Sequence, residues 1–123
     1  MREIISQHET YYIKRRIAPV IREIADSLPV VVITGARQVG KSTMLRAEFA
    51  DYAYLTLDDY AALEQARLDP QSLWQDHDKV IIDEAQRLPQ LFLAIKLAVD
   101  QSERRKRFIL SGSANLYLME KVG

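Results

Sequence analysis

At 123 residues, with 48% apolar and 28% charged side chains, the chain has the size and make-up of one globular domain around a single core. Its 17 Lys/Arg balance 17 Asp/Glu, so the zero net charge gives no bulk electrostatic reason to bind nucleic acid. Cysteine is absent, which excludes disulfides and thiolate metal sites, and apolar runs such as residues 29–33 and 80–82 are far too short to cross a bilayer.

Glu3, Gln7, His8 and Glu9 interrupt any apolar stretch at the N-terminus, so no secretory signal is expected and a cytoplasmic protein is. The charge is unevenly spread: residues 1–50 carry eight Lys/Arg against five Asp/Glu, and residues 51–100 four against ten. Residues 101–123 return to five against two.

In chain order, Ile13, Ile17, Val20, Ile21, Ile24 and Leu28 recur at steps of three and four and predict an amphipathic helical segment within residues 1–28. Pro19 marks either a kink in it or the first turn of a second short helix. Val30, Val31, Val32 and Ile33 form a continuous β-branched run, the pattern of a strand buried on both faces of a parallel sheet. A glycine-bearing loop follows, then a helix over about residues 41–50 with Met44, Leu45 and Phe49 inward. The cycle repeats with a strand over 52–57, a helix over 60–68, a looser connection holding Trp74, and a third strand at 80–82. Pro89 suits the first turn of a helix whose buried stripe is Leu91, Phe92, Ile95, Ala98 and Val99. Residues 108–110 form the fourth strand, and Ser111, Gly112 and Ser113 leave it. Strands alternating with helices predict an α/β domain with a parallel sheet and helices on its faces.

Gly35-Ala36-Arg37-Gln38-Val39-Gly40-Lys41-Ser42 has two glycines separated by four residues and followed by Lys and Ser, the phosphate-binding loop pattern. Glycines let the backbone turn and aim N–H groups at phosphate oxygens, and the following helix adds its positive N-terminal dipole. On this reading residues Gly35 to Thr43 surround the triphosphate of ATP, Lys41 sits between its β- and γ-phosphates, and the Ser42 hydroxyl ligates Mg2+. The competing reading is an ordinary glycine turn capped by serine.

Val80-Ile81-Ile82-Asp83-Glu84 completes the pair: an apolar strand carries a carboxylate to the sheet's C-terminal edge, where α/β ligands bind. Asp83 would hold Mg2+ and Glu84 would act as general base on water. Alternatively, a strand-end acid caps the next turn. Ser111 is the first choice, and Ser113 the second, for a side chain that senses the γ-phosphate; hydroxyls bonding a turn backbone are the competing reading.

Several residues have weaker claims. Asp58 and Asp59 read more as helix-capping acids than as magnesium or water contacts, and Arg37 suits phosphate or solvent equally. Gln86 is a secondary candidate for relaying the γ-phosphate state. The basic run from Arg104 to Arg107 lacks interleaved aromatics and reads as a solvated surface complementing a helix end. His8 and His77 are isolated, while Tyr11, Tyr12 and Trp74 read as packing residues.

With these motifs placed, the sequence resembles the AAA+ ATPases. More narrowly, Val31 to Thr43, Leu57-Asp58-Asp59, Ile82-Asp83-Glu84-Ala85-Gln86-Arg87-Leu88-Pro89 and Leu110-Ser111-Gly112-Ser113-Ala114-Asn115 look like predicted prokaryotic AAA-type ATPases with an uncharacterised C-terminal domain. The resemblance spans nearly the whole chain and implies a sheet order of 1-4-3-2, with residues 1–123 as the ATPase core. It implies ATP hydrolysis by a switch or motor, with a closing strand, lid and arginine finger expected beyond Gly123 and slow turnover without them.

ATP is the expected small-molecule partner, a homo-oligomer is compatible with the resemblance, no membrane partner is expected, and a protein or DNA target is left open. The rival reading is a nucleotide-binding interaction module with negligible turnover. A helicase would need a second motor lobe, a GTPase an Asn-Lys-x-Asp motif, and a small-molecule kinase a second substrate site.

Overall fold

The alternation of short β-branched runs with apolar helical stripes becomes a layered α/β structure in the computed structural model, which describes residues 17–34 and 40–112. In chain order come α1 (Ala18–Ser27), β1 (Val30–Thr34), α2 (Lys41–Glu48), β2 (Ala53–Thr56) and α3 (Tyr60–Leu68). A 3-10 turn (Pro70–Leu73), β3 (Lys79–Asp83), a second 3-10 turn (Ala85–Arg87), α4 (Leu91–Gln101) and β4 (Arg107–Gly112) follow. The four strands are all parallel and lie in the order β1-β4-β3-β2. Gly35, Ala36, Arg37, Gln38, Val39 and Ser113, together with the expectations placed on residues 1–16, lie outside the described residues.

Side chains alternate across each strand, and this two-residue period sorts them into two cores. Val80, Ile82, Phe108 and Leu110 face one way and pack with Ala66, Trp74, Leu91, Ile95 and Val99 on the side of α3 and α4. Val31, Ile81 and Ile109 face the other way and meet Ala18, Ile21 and Ala25 of α1 and Met44, Leu45 and Phe49 of and beside α2. A sheet buried on both faces explains why its strands read as unbroken apolar runs. Trp74 packs edge-on against Phe108 with ring centroids 5.1 Å apart, as its packing assignment requires.

Several boundaries differ from the expected ones. The helix after the loop ends at Glu48, the second strand spans only Ala53–Thr56, and β3 and β4 are longer than expected. Ser111 and Gly112 therefore belong to β4, paired with Ile33 and Thr34, instead of leaving the strand. Pro89 precedes the N-cap Gln90, and its carbonyl accepts from the Phe92 amide at 3.1 Å. Pro19 does sit in a helix first turn.

The largest difference is in α1. Its buried stripe is Ala18, Ile21 and Ala25, whereas Ile17, Val20, Ile24 and Leu28 are exposed by 39–52%. Small alanines flank Ile21 on the face that meets the core, so the helix packs through its slimmest side and its bulkiest apolar residues stay outward.

Charged groups tie the helices down. The Arg22 guanidinium straddles the Asp51 carboxylate at 2.9 and 3.0 Å, donates to the Glu48 carbonyl at 2.9 Å and lies 4.4 Å from the Phe49 ring centroid. This links α1 to the end of α2. The hydrogen bond from Arg22, aided by Lys79, holds the Asp51 carboxyl far below the usual carboxylate range against the cost of burial. In the basic run Arg104 and Arg105 are exposed, whereas Lys106 and Arg107 are half-buried and structural instead of forming the expected solvated surface. Lys106 donates to the Trp74 and His77 carbonyls at 2.9 and 2.7 Å, and Arg107 donates to the Ala25 and Leu28 carbonyls at 2.9 and 3.2 Å, closing the end of α1.

Two stability outcomes follow from this packing. Ile81 is fully buried at the centre of the sheet, so Ile81→Ala should cost about 2–5 kcal/mol in urea unfolding; a loss below about 1 kcal/mol would contradict the tight packing. Asp51 is 42% exposed at its side chain, so Asp51→Asn should cost only about 1 kcal/mol or less at neutral pH. Because the folded carboxyl lies below its unfolded value of 3.8, the contribution is present above that value and fades as pH falls through the folded pKa. Unfolding curves of wild type and Asp51→Asn should therefore converge in strong acid and separate at neutral pH.

Candidate functional site

Because all four strands are parallel, their C-terminal ends share one edge of the sheet. Thr56 pairs with Asp83, Ile82 with Leu110, and Thr34 with Gly112. β3 lies between β2 and β4, so a side chain at its end is within reach of both neighbours.

Asp83 uses that position fully. Its Oδ2 accepts from the Ser42 hydroxyl and from the Tyr54 phenol, the latter at 2.6 Å. Its Oδ1 accepts from the Ser111 hydroxyl at 2.7 Å and from the Glu84 amide at 3.0 Å. Burial is the largest single influence on this carboxyl and favours the protonated form. The combined donors, Ser42, Tyr54, Ser111 and the Glu84 amide, outweigh it and leave the pKa lowered. Asp83 is therefore an ionised carboxylate in the interior. Tyr54 responds in the opposite sense: burial first, then the hydrogen bond to Asp83, pushes its phenol up to about 12, so it is a hydrogen donor at all ordinary pH.

Lys41 opens α2 immediately after Gly40, whose φ of 74° and ψ of 25° lie in the left-handed region where glycine carries no steric cost. The Lys41 ammonium is buried and donates to the Gly112 carbonyl at the end of β4, at 2.7 Å. The first hydrogen bond of α2 runs from the Met44 amide to the Gly40 carbonyl at 3.0 Å, so Lys41, Ser42 and Thr43 form the turn whose amides have no acceptor one turn earlier in the helix. Ser42 is half-buried at the site and Thr43 is exposed.

Glu84 leaves β3 with φ 55° and ψ 42°, a left-handed conformation that costs a non-glycine residue about 1–3 kcal/mol and concentrates at functional sites. It is buried, and its carboxylate accepts from the Gln86 amide at 2.6 Å. Asp59 caps α3 by accepting from the Ala61 amide at 3.0 Å, as its capping assignment requires. Asp58 instead binds the Arg87 guanidinium at 2.6–2.7 Å.

Lys41, Ser42, Tyr54, Thr56, Asp58, Asp83 and Glu84 together line a cavity of about 230 Å3 at the sheet edge. A larger hollow of about 330 Å3, bordered by Gln71, Trp74 and Lys106, lies near the start of β4 and brings together no comparable set of acid, hydroxyl and ammonium groups. Of the residues selected from sequence, the structure gathers Lys41, Ser42, Asp83, Glu84 and Ser111 into one cluster with Gly40 beside them. Gly35 to Val39 and Ser113 lie outside the described residues.

Sequence reasoning missed Tyr54 and the Gly112 carbonyl. Tyr54 is two residues before Thr56, on the strand beside β3, so a polar-tipped aromatic near the acid-bearing edge was the available signal.

The donor set suits a hard divalent cation with phosphate. Asp83 and Ser42 supply oxygen atoms in direct contact, and no group of three or more His, Cys, Asp or Glu that could cage a metal exists among the described residues. A site of one carboxylate and one hydroxyl completed by phosphate oxygens is how Mg2+ is usually held. No helix among the described residues is long and apolar enough to cross a membrane.

An uncharacterised protein of Mycobacterium bovis and one of Mycobacterium tuberculosis are each 36% identical to the chain over 104 residues, covering 83% of it. The chain spans about a quarter of the length of these curated relatives, 24% in each case. No solved structure matches it significantly. Residues 27–123 match the AAA domain family. With that match over most of its length and its four parallel strands in the order β1-β4-β3-β2, the chain belongs to the AAA domain family, as an AAA-type P-loop ATPase core.

Proposed function

We propose that the chain binds Mg-ATP and hydrolyses it, as a switch or motor core acting on a macromolecular partner. The observation that carries this reading is the convergence of the Lys41 ammonium, the Ser42 hydroxyl and the Asp83 and Glu84 carboxylates on one cavity at the C-terminal edge of a parallel sheet.

Each residue has a role that follows from its chemistry. Lys41 exchanges its bond to the Gly112 carbonyl for phosphate oxygens and offsets their charge. Ser42 and Asp83 are the residues that would hold Mg2+, Ser42 through its hydroxyl oxygen and Asp83 as an ionised acceptor for the ion or its water. When bound, the ion neutralises charge on the β- and γ-phosphate oxygens. Glu84 takes a proton from water as the water oxygen bonds to the γ-phosphorus and the bond from that phosphorus to the β–γ bridging oxygen breaks, giving ADP and phosphate. Ser111 holds Asp83 from β4, and the same hydroxyl is the nearest candidate for reporting the γ-phosphate state to that strand.

A specific observation favours the slower alternative, a nucleotide-binding module with little turnover. Lys41 is the only cation lining the cavity among the described residues. Arg87 is engaged by Asp58, and Lys106 and Arg107 are bonded to carbonyls away from the site. Among the described residues, charge developing on the γ-phosphate would then be met by one ammonium beside the magnesium ion, whereas an added cationic finger is worth about 10³–10⁵ in rate.

Two substitutions test the reading. Lys41→Met keeps the aliphatic stem and removes the charge; ATP binding measured by calorimetry should weaken by about 2–3 kcal/mol, and unchanged affinity would remove the phosphate-gripping role. Glu84→Gln keeps the shape and a hydrogen-bonding end group but not the base. It should bind ATP as the wild type does, while single-turnover phosphate release slows by about 10²–10⁴. Equal release rates would mean that Glu84 is a structural acid, and undetectable release from both proteins would leave the binding-module reading in its place.

A further inference from the structure

We propose that Tyr54 is a positioning residue for the magnesium site: its phenol fixes the Asp83 carboxylate in the orientation that receives the ion. The inference rests on the Mg-ATP reading above and adds a residue to it.

A carboxylate at a strand end can rotate about its χ2 bond, and a metal site needs that rotation stopped. In Asp83 the two oxygens are held from different sides. Oδ1 is fixed by the Ser111 hydroxyl and the Glu84 amide, at 2.7 and 3.0 Å. Oδ2 is held by the Ser42 hydroxyl and by the Tyr54 phenol at 2.6 Å. Ser42 is a poor anchor for the bound state, because the same hydroxyl oxygen would turn a lone pair to the ion and move with it. The Tyr54 phenol, which also meets the Ser42 hydroxyl, is not one of the groups that would ligate the ion. It stands on β2, whose register is locked to β3 by the Tyr54–Ile81 and Thr56–Asp83 pairs.

The tyrosine is itself restrained. Its ring packs against the core shared with α1 and α2. The Arg46 guanidinium lies 5.2 Å from the ring centroid, on the same helix as Ser42 and one turn further along. A phenol on a rigid ring loses little rotamer freedom in holding this geometry, which suits it to orient a neighbour. Groups that orient a metal's ligands without touching the metal commonly account for about 10–100-fold in metal affinity or activity.

Tyr54→Phe deletes the hydroxyl and keeps the ring, its packing and the contact with Arg46. Binding of a fluorescent ATP analogue should be measured in EDTA and again in saturating Mg2+, with thermal melting of the free protein as a check on folding. In Tyr54→Phe the melting transition should stay cooperative, at a lower temperature because Asp83 loses one donor, and the affinity in EDTA should match the wild type, while the gain in affinity on adding Mg2+ should shrink about tenfold. A full magnesium gain in the variant would reduce Tyr54 to a packing residue and overturn the proposal. Equal losses in EDTA and in Mg2+ would overturn it too, by placing the phenol against the nucleotide instead of the carboxylate. If the wild type gains no affinity from Mg2+, the magnesium assignment of the proposed function fails first and takes this proposal with it.

Discussion

The site is organised around one buried negative charge. An ionised carboxylate taken out of water is tolerated only if its lone pairs are met by donors, since a poorly compensated buried charge costs several kcal/mol or is neutralised by a proton. Asp83 meets that demand with four donors drawn from α2, β2, β4 and its own chain. No single element could supply them. The strand order is what brings them together, because β3 is flanked by β2 on one side and β4 on the other. In an order that followed the sequence, β3 would again lie between those two strands, but β1 and the start of α2 would be three positions from β4 instead of beside it. Placing β4 between β1 and β3 puts the Gly112 carbonyl within reach of the Lys41 ammonium while Ser111 keeps its reach to Asp83.

The two charges of the site are thus anchored on the same strand end. Ser111 donates to the acid and, one residue on, the Gly112 carbonyl accepts from the lysine. A ligand that draws Lys41 away leaves the Gly112 carbonyl in need of a donor, and one that draws Ser42 away changes the load on Asp83. Both disturbances reach the end of β4.

Much of this was legible in the sequence, for reasons that can be named. Strands buried on both faces must be apolar throughout, so β1 and the middle of β3 and β4 stood out as short apolar runs. Lys41, Ser42, Asp83 and Glu84 were identifiable because phosphate and magnesium chemistry constrains residue type and order together. What escaped was set by packing between elements distant in sequence. Of the expected α1 stripe only Ile21 is buried among the described residues: hydropathy favours Ile17, Val20, Ile24 and Leu28, whereas the helix buries the small Ala18 and Ala25 on either side of Ile21. Tyr54 escaped because a tyrosine in a strand is usually a packing residue; only the parallel register of β2 on β3 reveals what its hydroxyl meets. Strand lengths were underestimated where polar residues, Ser111 above all, remain in the ladder because their side chains have a buried partner.

Asp83 and Glu84 show how a local backbone choice gives two adjacent acids different settings in one cavity. In a continuing strand, successive side chains point to opposite faces, and the second carboxylate would enter the layer of helices on the far side of the sheet. Glu84 instead turns into the left-handed region, ending the strand and starting the 3-10 turn Ala85–Arg87. Both acids then line one cavity, but in different states of constraint. Asp83 is clamped by four donors and suited to a fixed charge. Glu84, with Gln86 donating to its carboxylate, is placed by a strained backbone that the β3 strand before it and the turn after it must sustain. A fixed acceptor for a cation and an acid that must take up a proton have opposite requirements, since the first gains from every added donor and the second loses basicity with each one. The left-handed turn at Glu84 lets neighbouring residues satisfy both.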